Sequence, residues 1–502
     1  MLPTAIVIAR DRARLRQIAK VATRFGLGLL VDRLGLTATF QAAQGPVDGL
    51  PERTRRALEA LGPTFVKLGQ ILATRRDLLP PEWIEALEHL HSRAPTIAFD
   101  QLRPAVEAAL GDAPEAIFAS FDPMPLAAAS IAQVHRATLH DGAEVVLKFG
   151  RPGARAKIEA DLRLITHLAA MAERASAEMR RLSPSLLVAQ LSRDILEELD
   201  FTNEGRNADR LRDDFADDPR VTIPRIHWPL TSSGLLVMEF IDGVAPVDGE
   251  TLRDAGLDPR AIADLGADVV LDMLLLHGRF HGDPHPGNLL CLPGNRLALL
   301  DLGSVGQISA RRRSEFLSFV QALIAGDAPM VADTLRLWSG PDSPDHLVVE
   351  RAAERIIARH GGGPLVLSRL VGDLFPLLRE EGLVLPPDLL LVFKALITID
   401  GVLASIAPGF DLSEPIRRAR SRILMSRLSP PRARDPAGML LEIDRLAASS
   451  PRLLRAVIRR IEAEPLPSDG LRRIEKVISA GARWVGIAIL IAGAAIAGAL
   501  LV

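Results

Sequence analysis

The sequence predicts an α+β fold of two lobes, rich in helix, from three observations. Short runs at Ile117–Phe121, Gln133–Leu139 and Glu144–Phe149 are strand-like, and His140–Asp141–Gly142 is a hairpin turn between the last two. Beyond Gly303 the chain reads as helix almost throughout, punctuated at Pro329, Gly340–Pro341, Gly361–Gly363, Pro386–Pro387 and Pro430–Pro431. Between the two halves stands a turn-rich stretch, HGDPHPGN at 281–288, followed by an apolar run and DLG at 301–303. Four segments are expected: a helical extension at 1–110, a sheet-bearing lobe at 111–243, a helical lobe at 244–464, and a basic linker with a membrane helix at 465–502.

With 502 residues the chain is long enough for two or three domains. A formal net charge of −2 gives no general argument for a nucleic-acid partner, and none is expected. Cys291 is the one cysteine, so no internal disulfide can form, which fits a reducing compartment. It is expected to be a small core residue.

Taken in order, the chain begins with a basic helix, Arg14, Arg16, Lys20 and Arg24 interleaved with Leu15, Ile18, Ala22 and Phe25. That pattern suits a membrane-surface helix or an arm packed on the main domain. Gly62–Pro63 breaks the next segment, after which Phe65, Ile71 and Leu72 mark an apolar helix face beside Lys67 and Gln70, which are neighbours at a spacing of three. Lys148 closes the third strand, after the small-residue run PLAAASIAQV, where it can reach the α- and β-phosphates of a nucleotide. Ala154–Arg181 and Pro184–Asp213 read as two helices. The second crowds Glu197, Glu198, Asp200 and Glu204 into about two turns. Glu198 and Glu204 do not share one face, so only one of them can readily pair with Lys148, and the sequence leaves open which. Leu235–Phe240 leads into Glu239–Gly243, a connector whose backbone could hydrogen-bond a flat base. Asp258–His277 is a long helix that delivers the chain to His281. Leu389–Ala404 is apolar nearly all round, with only Lys394 and Asp400 charged, the mark of a buried helix.

The stretch from His281 to Gly303 carries the chemistry. Magnesium prefers oxygen ligands and binds through one or two carboxylates plus substrate phosphates. Asn288 and Asp301 can supply an amide and a carboxylate oxygen, which leaves Asp283 to orient or deprotonate a nucleophile. Protein kinases use this spacing, an Asp-plus-Asn loop followed by Asp-x-Gly.

Six motifs in order resemble the UbiB/ADCK family of atypical protein-kinase-like proteins over roughly residues 50–410. They are FVKLGQ at 65–70, PLAAASIAQVH at 125–135, VVLK at 145–148, EELDFTNE at 197–204, HGDPHPGN at 281–288 and DLG at 301–303. The resemblance implies an atypical protein-kinase-like two-lobed fold. It further implies binding of ATP or ADP with Mg²⁺, ATPase activity at a membrane, and support of ubiquinone biosynthesis. Carried over, Lys148 would contact the phosphates, Asp283 would be the catalytic base or water-positioning group, and Asn288 and Asp301 would hold Mg²⁺. Ala127, Ala128, Ala129 and Ser130 would form the alanine-rich loop, and Leu126, Ile131, Ala132, Gln133 and Val134 around it would also bind the nucleotide. Lys67 and Gln70 match the family's Lys-x-Gly-Gln signature, and Glu198 and Asp200 its Glu-x-Asp; with Glu204 these are expected at the nucleotide site. One departure from the kinase pattern is Gly282, not Arg, before Asp283, so an activation-loop arginine switch is not expected.

Trp484–Val502 contains no charge across nineteen residues, enough for a helix of about 28 Å. Arg472, Arg473, Lys476 and Arg483 precede it and favour a cytoplasmic amino-terminal side. A single pass through the inner membrane of a bacterium is expected, with the catalytic domain in the cytoplasm, although bacterial relatives in the family often carry two spans. Expected partners are adenine nucleotide, membrane lipid and ubiquinone-biosynthesis enzymes or polyprenyl intermediates. Two further readings stand beside the ATPase: a genuine protein or small-molecule kinase, and a non-catalytic nucleotide-binding scaffold.

Overall fold

The computed structural model describes residues 11–26, 49–74, 79–90, 96–129, 131–175, 184–340, 344–361, 367–383, 385–412, 414–419 and 422. All fall within one compact unit, Met1–Ile423. The expected membrane helix at 484–502 lies outside the described residues.

The amino-terminal lobe is built on an antiparallel sheet. Its strands are β1 (Phe118–Phe121), β2 (Ala127–Ala128), β3 (Ala132–Leu139), β4 (Glu144–Gly150) and, later in the chain, β6 (Leu235–Glu239). The order is β1-β3-β4-β6, with β2 folded onto β3. Alternation along β4 sets its two faces. Val145, Leu147 and Phe149 pack with Leu235 and Val237 into one apolar core, together with Phe99, Leu102 and Val106 of a flanking helix. Lys148, paired in register with Leu236, therefore points to the opposite face, where Leu236 packs with Ile158, Leu191 and Phe201.

Helices cover both faces of the sheet, Phe99, Leu102 and Val106 lying on the first and Ile158, Leu191 and Phe201 on the second. In chain order they begin with α1 (Arg12–Arg24), α2 (Leu50–Leu61), α3 (Pro63–Thr74), α4 (Pro81–Glu88), α5 (Phe99–Leu110) and α6 (Pro114–Ile117). After β4 come α7 (Ala154–Ala175), α8 (Pro184–Glu198) and α9 (Phe201–Asp214). The single helix expected over 184–213 is thus two helices, because Asp200 adopts an extended backbone and its side chain accepts the Thr202 N–H as an N-cap. α1 is the packed arm of the two readings. Arg14 on it donates to both carboxylate oxygens of Asp161, to which Thr64 also donates, and to the Leu61 carbonyl. Asp161 is fully buried, so this pair locks α1 and the start of α3 onto α7.

The helical lobe begins with α10 (Gly249–Asp254) and α11 (Pro259–Asp272), the latter capped by Asp258 and ending in a π-helical turn, Met273–His277. Gly278, at φ 73°, ends that turn; a Cβ there would come within 2.9 Å of the Ile308 carbonyl oxygen. β7 (Arg279–His281) then pairs with β10 (Val305–Gln307), and β8 (Leu289–Leu292) pairs with β9 (Arg296–Leu299), joined by a turn at 293–295. A two-residue strand, β5 (Val221–Thr222), adds parallel to β9. The lobe continues with α12 (Ala310–Ala325), α13 (Ala328–Ser339), α14 (His346–His360), α15 (Leu367–Glu380) and α16 (Pro387–Ile406). One large core joins α9 and α11 to all of these. α16 is long and apolar enough to cross a membrane by length and composition, yet 56% of that stretch is buried within the fold.

Candidate active site

Two ladders converge on the cleft between the lobes. β7 and β10 fix the two ends of the segment: Gly282 N–H donates to the Ser304 carbonyl at 2.8 Å, and His281 is in register with Val305. The approach is close enough that a Cβ on Gly282 would lie 2.7 Å from Ser304 Oγ. This gives a steric reason why a small residue, and not arginine, precedes Asp283. His281 is fully buried and braces the loop from behind: its Nδ1 accepts the Asp283 N–H at 3.2 Å and its Nε2 lies 3.1 Å from the Leu300 carbonyl. Burial pushes this imidazole down, consistent with a neutral ring that accepts at one nitrogen and donates at the other. The Asn288 amide donates through Nδ2 to the Asp283 carbonyl at 3.2 Å, which leaves its Oδ1 available as a ligand.

Lys148 and the acids form a triad. The Lys148 ammonium donates to both Glu204 oxygens at 2.8 and 2.9 Å and to Asp301 Oδ1 at 2.9 Å, while standing 5.8 Å from the Phe201 ring centroid. Glu204 and Phe201 lie on the buried face of α9, with Gly205, Ala208 and Leu211, so the helix aims the carboxylate at the sheet. The question of which acid meets Lys148 is answered by Glu204; Glu198 meets Lys67 instead, at 3.1 Å. Burial opposes the charge on Lys148, but Asp301 and Glu204 outweigh it and hold the ammonium above lysine's usual range. The Lys148 charge holds the Asp301 carboxyl well below the usual carboxylate range. Glu204 goes the other way: burial, helped by the Asp301 charge, raises it to about 7 against the pull of Lys148. Lys67 is held above its ordinary value, the loss of solvation being outweighed by Glu198.

Asp301 occupies the left-handed region, at φ 46°, where a non-glycine residue is uncommon and clusters at functional sites. Its side chain is half exposed to the cleft, and Asp283 is similarly open.

The cleft encloses about 860 Å³. Of the residues singled out in the sequence, Lys67, Gln70, Ala128, Ala129, Ile131, Ala132, Lys148, Glu198, Asp283, Asn288 and Asp301 line it. Others do not. Gln133 is fully buried in the sheet lobe, where its amide pairs with both backbone groups of Ile97 and contacts His135; it faces the core, not the nucleotide loop's open side. Asp200 is an N-cap bound to the Thr202 N–H and hydroxyl and is not among the lining residues. Leu126 and Ala127 are exposed on the β2 side of the hairpin and, like Val134, are not among the lining residues; Glu204 stands behind Lys148. Ser130 lies outside the described residues. The loop closes through Ala129 N–H to the Ala132 carbonyl, with Arg151 donating to the Ala129 carbonyl. Cys291 is buried, and burial pushes its thiol up to about 12, as expected for a packing residue.

Some lining residues carried no sequence signal for this site. Phe375, Leu390, Phe393, Lys394, Ile397 and Thr398 come from α15 and α16, opposite Ala73, Leu87 and Leu90 of the amino-terminal extension. Gln70 Nε2 donates to the Leu90 carbonyl, and Arg379 of α15 donates to the Leu79 carbonyl, so the extension is tied to the helical lobe beside the cleft. Within the extension, Gly69 permits the close approach of α3 to Leu90: a Cβ there would lie 2.2 Å from a Leu90 methyl and 2.9 Å from a Leu58 methyl.

A small sheet lobe carrying a lysine, a helical lobe carrying the Asp-x-x-x-x-Asn loop and an Asp-Leu-Gly, and an open cleft between them define a kinase-like protein. Comparison with known proteins agrees. Residues 89–335 match the ABC1 atypical kinase-like domain and residues 363–411 the UbiB helical domain. The chain is 32% identical to the probable protein kinase UbiB of Xylella fastidiosa, over 96% of this chain and 93% of that protein. It is 36% identical to the probable protein kinase UbiB of Marinobacter nauticus, over 72% of this chain and 68% of that protein. A solved structure of Mycobacterium tuberculosis Rv3197 with erythromycin aligns at 21% identity and a TM-score of 0.49, over 73% of this chain and 93% of that one. The chain belongs to the UbiB family of ABC1 atypical kinase-like proteins.

Proposed function

We propose that this protein is a membrane-associated, kinase-like ATPase that supports ubiquinone biosynthesis and binds Mg-ATP or Mg-ADP between its lobes. The observation that supports it most is the Lys148–Glu204–Asp301 triad opening on the same cleft as Asp283.

The residues fit the expected ligand. The free Asn288 Oδ1 and the half-exposed Asp301 carboxylate are two oxygen donors on one wall, the number that magnesium takes from protein when phosphates supply the rest. Bound there, the ion would neutralise charge on the transferred phosphoryl group. Lys148 would bind the phosphates, with Glu204 fixing its ammonium. Asp283 would hold the attacking water or hydroxyl and take its proton. Lys67, Gln70, Leu87 and Leu90 of the extension line the same cleft as Asp283, and an extension there would favour water or a small acceptor over a folded protein. The apolar surface of Leu87, Leu90, Leu390 and Ile397 suits an acceptor or effector with a hydrocarbon portion, such as a polyprenyl intermediate. The uncharged run at 484–502 would anchor the cytoplasmic domain at the membrane.

Nucleotide turnover by the purified full-length protein, with and without lipid vesicles, tests the reading. Loss of ATP without a labelled acceptor is expected. Asp283→Asn is expected to lower turnover by about 10²–10⁴-fold, the worth of a positioned proton-transfer group, and to keep ADP binding. A labelled acceptor would make the protein a kinase. Full complementation of a ubiquinone-deficient strain by Asp283→Asn would make it a scaffold.

A further inference from the structure

We propose that Lys394, on α16, is a positioning residue for Asp283. The inference rests on the reading of Asp283 as the group that handles the nucleophile.

Lys148 is held by Glu204 and Asp301, and Lys67 by Glu198. Lys394 instead stands 3.5 Å from Asp283 Oδ1. It rises from a helix whose neighbouring residues Leu389, Val392, Phe393, Ala395 and Leu396 are buried, so a lysine there is conspicuous. Its side chain opens on the cleft, between Leu390 and Ile397 on the same helix face. Both partners are more than one-third exposed, at 36% for Lys394 and 41% for Asp283. An ion pair so open to water contributes little to folding stability, so stability does not account for it.

Position accounts for it better. The loop from Asp283 to Asn288 contains no lysine or arginine of its own. The backbone of Asp283 is anchored from behind by the His281 ring, the Asn288 amide and the His285 N–H. Lys394 supplies the side-chain restraint from the opposite wall, and it does so from a core helix, which is stiffer than a loop. Turning Asp283 Oδ1 toward Lys394 leaves Oδ2 for the nucleophile's proton. The ammonium also adds positive potential where negative charge develops during transfer.

The test uses the full-length protein in lipid with Lys394→Met and Lys394→Arg. Lys394→Met is expected to lower kcat about ten-fold or more, the scale of a misplaced reacting group, with KM for ATP unchanged. ADP affinity measured without magnesium, and the melting temperature of the nucleotide-free protein, are expected to match wild type. Lys394→Arg, which keeps the charge, is expected to recover most of the loss in kcat. A wild-type kcat in Lys394→Met overturns the proposal alone, as does a loss that appears equally in ADP affinity or melting temperature. An Arg variant no better than the Met variant also overturns it. Absence of turnover in the wild type overturns both this proposal and the reading on which it rests.

Discussion

Glu204→Gln tests the electrostatics of the site without touching a residue that lines the cleft. The wild-type triad holds one lysine between two carboxylates, a net charge of −1 in the cleft wall. Glu204, only 6% exposed, is the member least able to keep its charge, and its carboxyl moves from 4.5 up to about 7. Between those values the folded chain retains a proton that the unfolded chain releases, so stability falls as pH rises through that window. At about 1.4 kcal/mol for each pH unit, the ionised form costs the fold roughly 3 kcal/mol above pH 7. Glutamine has nearly the shape of the protonated acid and cannot ionise. The variant and wild type should therefore have similar stability near pH 4.5. At pH 8 the variant should be more stable, by about 1–3 kcal/mol, a shift of several degrees in melting temperature for a chain of this size. Guanidinium and thermal unfolding of the nucleotide-free protein at both pH values measure this. Other titrating groups act on both proteins alike and cancel in the difference. A Gln variant that is destabilised at pH 8 as much as at pH 4.5 would refute the reasoning, because it would mean that the Lys148–Glu204 attraction fully offsets the cost of burying the second carboxylate.

Two further substitutions probe how the extension is held. Arg14→Ala leaves the fully buried Asp161 with Thr64 as its remaining side-chain donor, and a loss of about 3 kcal/mol is expected by chemical denaturation, the low end for a broken buried pair. Gly69→Ala forces a methyl against Leu90 and Leu58 and should cost about 1–3 kcal/mol. If Gly69→Ala melts like wild type, the close packing of α3 on α4 is not what the glycine serves.

The order of elements and most of the cleft's polar residues were legible in the chain because each depends on its near neighbours. Short strand-like runs mark β3 and β4, the turn residues at 140–142 and 293–295 close two hairpins, and the 281–303 stretch carries Asp283, Asn288 and Asp301. Local spacing alone did not separate Glu198 from Glu204, since it gives the face of a helix and not what the face meets. The break at Asp200 sets α9 apart from α8, and packing of Phe201 and Glu204 on the sheet then assigns Glu204 to Lys148 and leaves Glu198 to Lys67. Gln133 sat inside the loop motif but alternates into the core, and Asp200 sat among the acids but caps a helix. Lys148 and Asp301 are 153 residues apart, and Lys394 is farther along the chain than either. Sequence by itself determined which residues could carry the chemistry; only the tertiary structure decided which of them share an ion pair, because such contacts are made across the cleft, where no periodicity along the chain reaches.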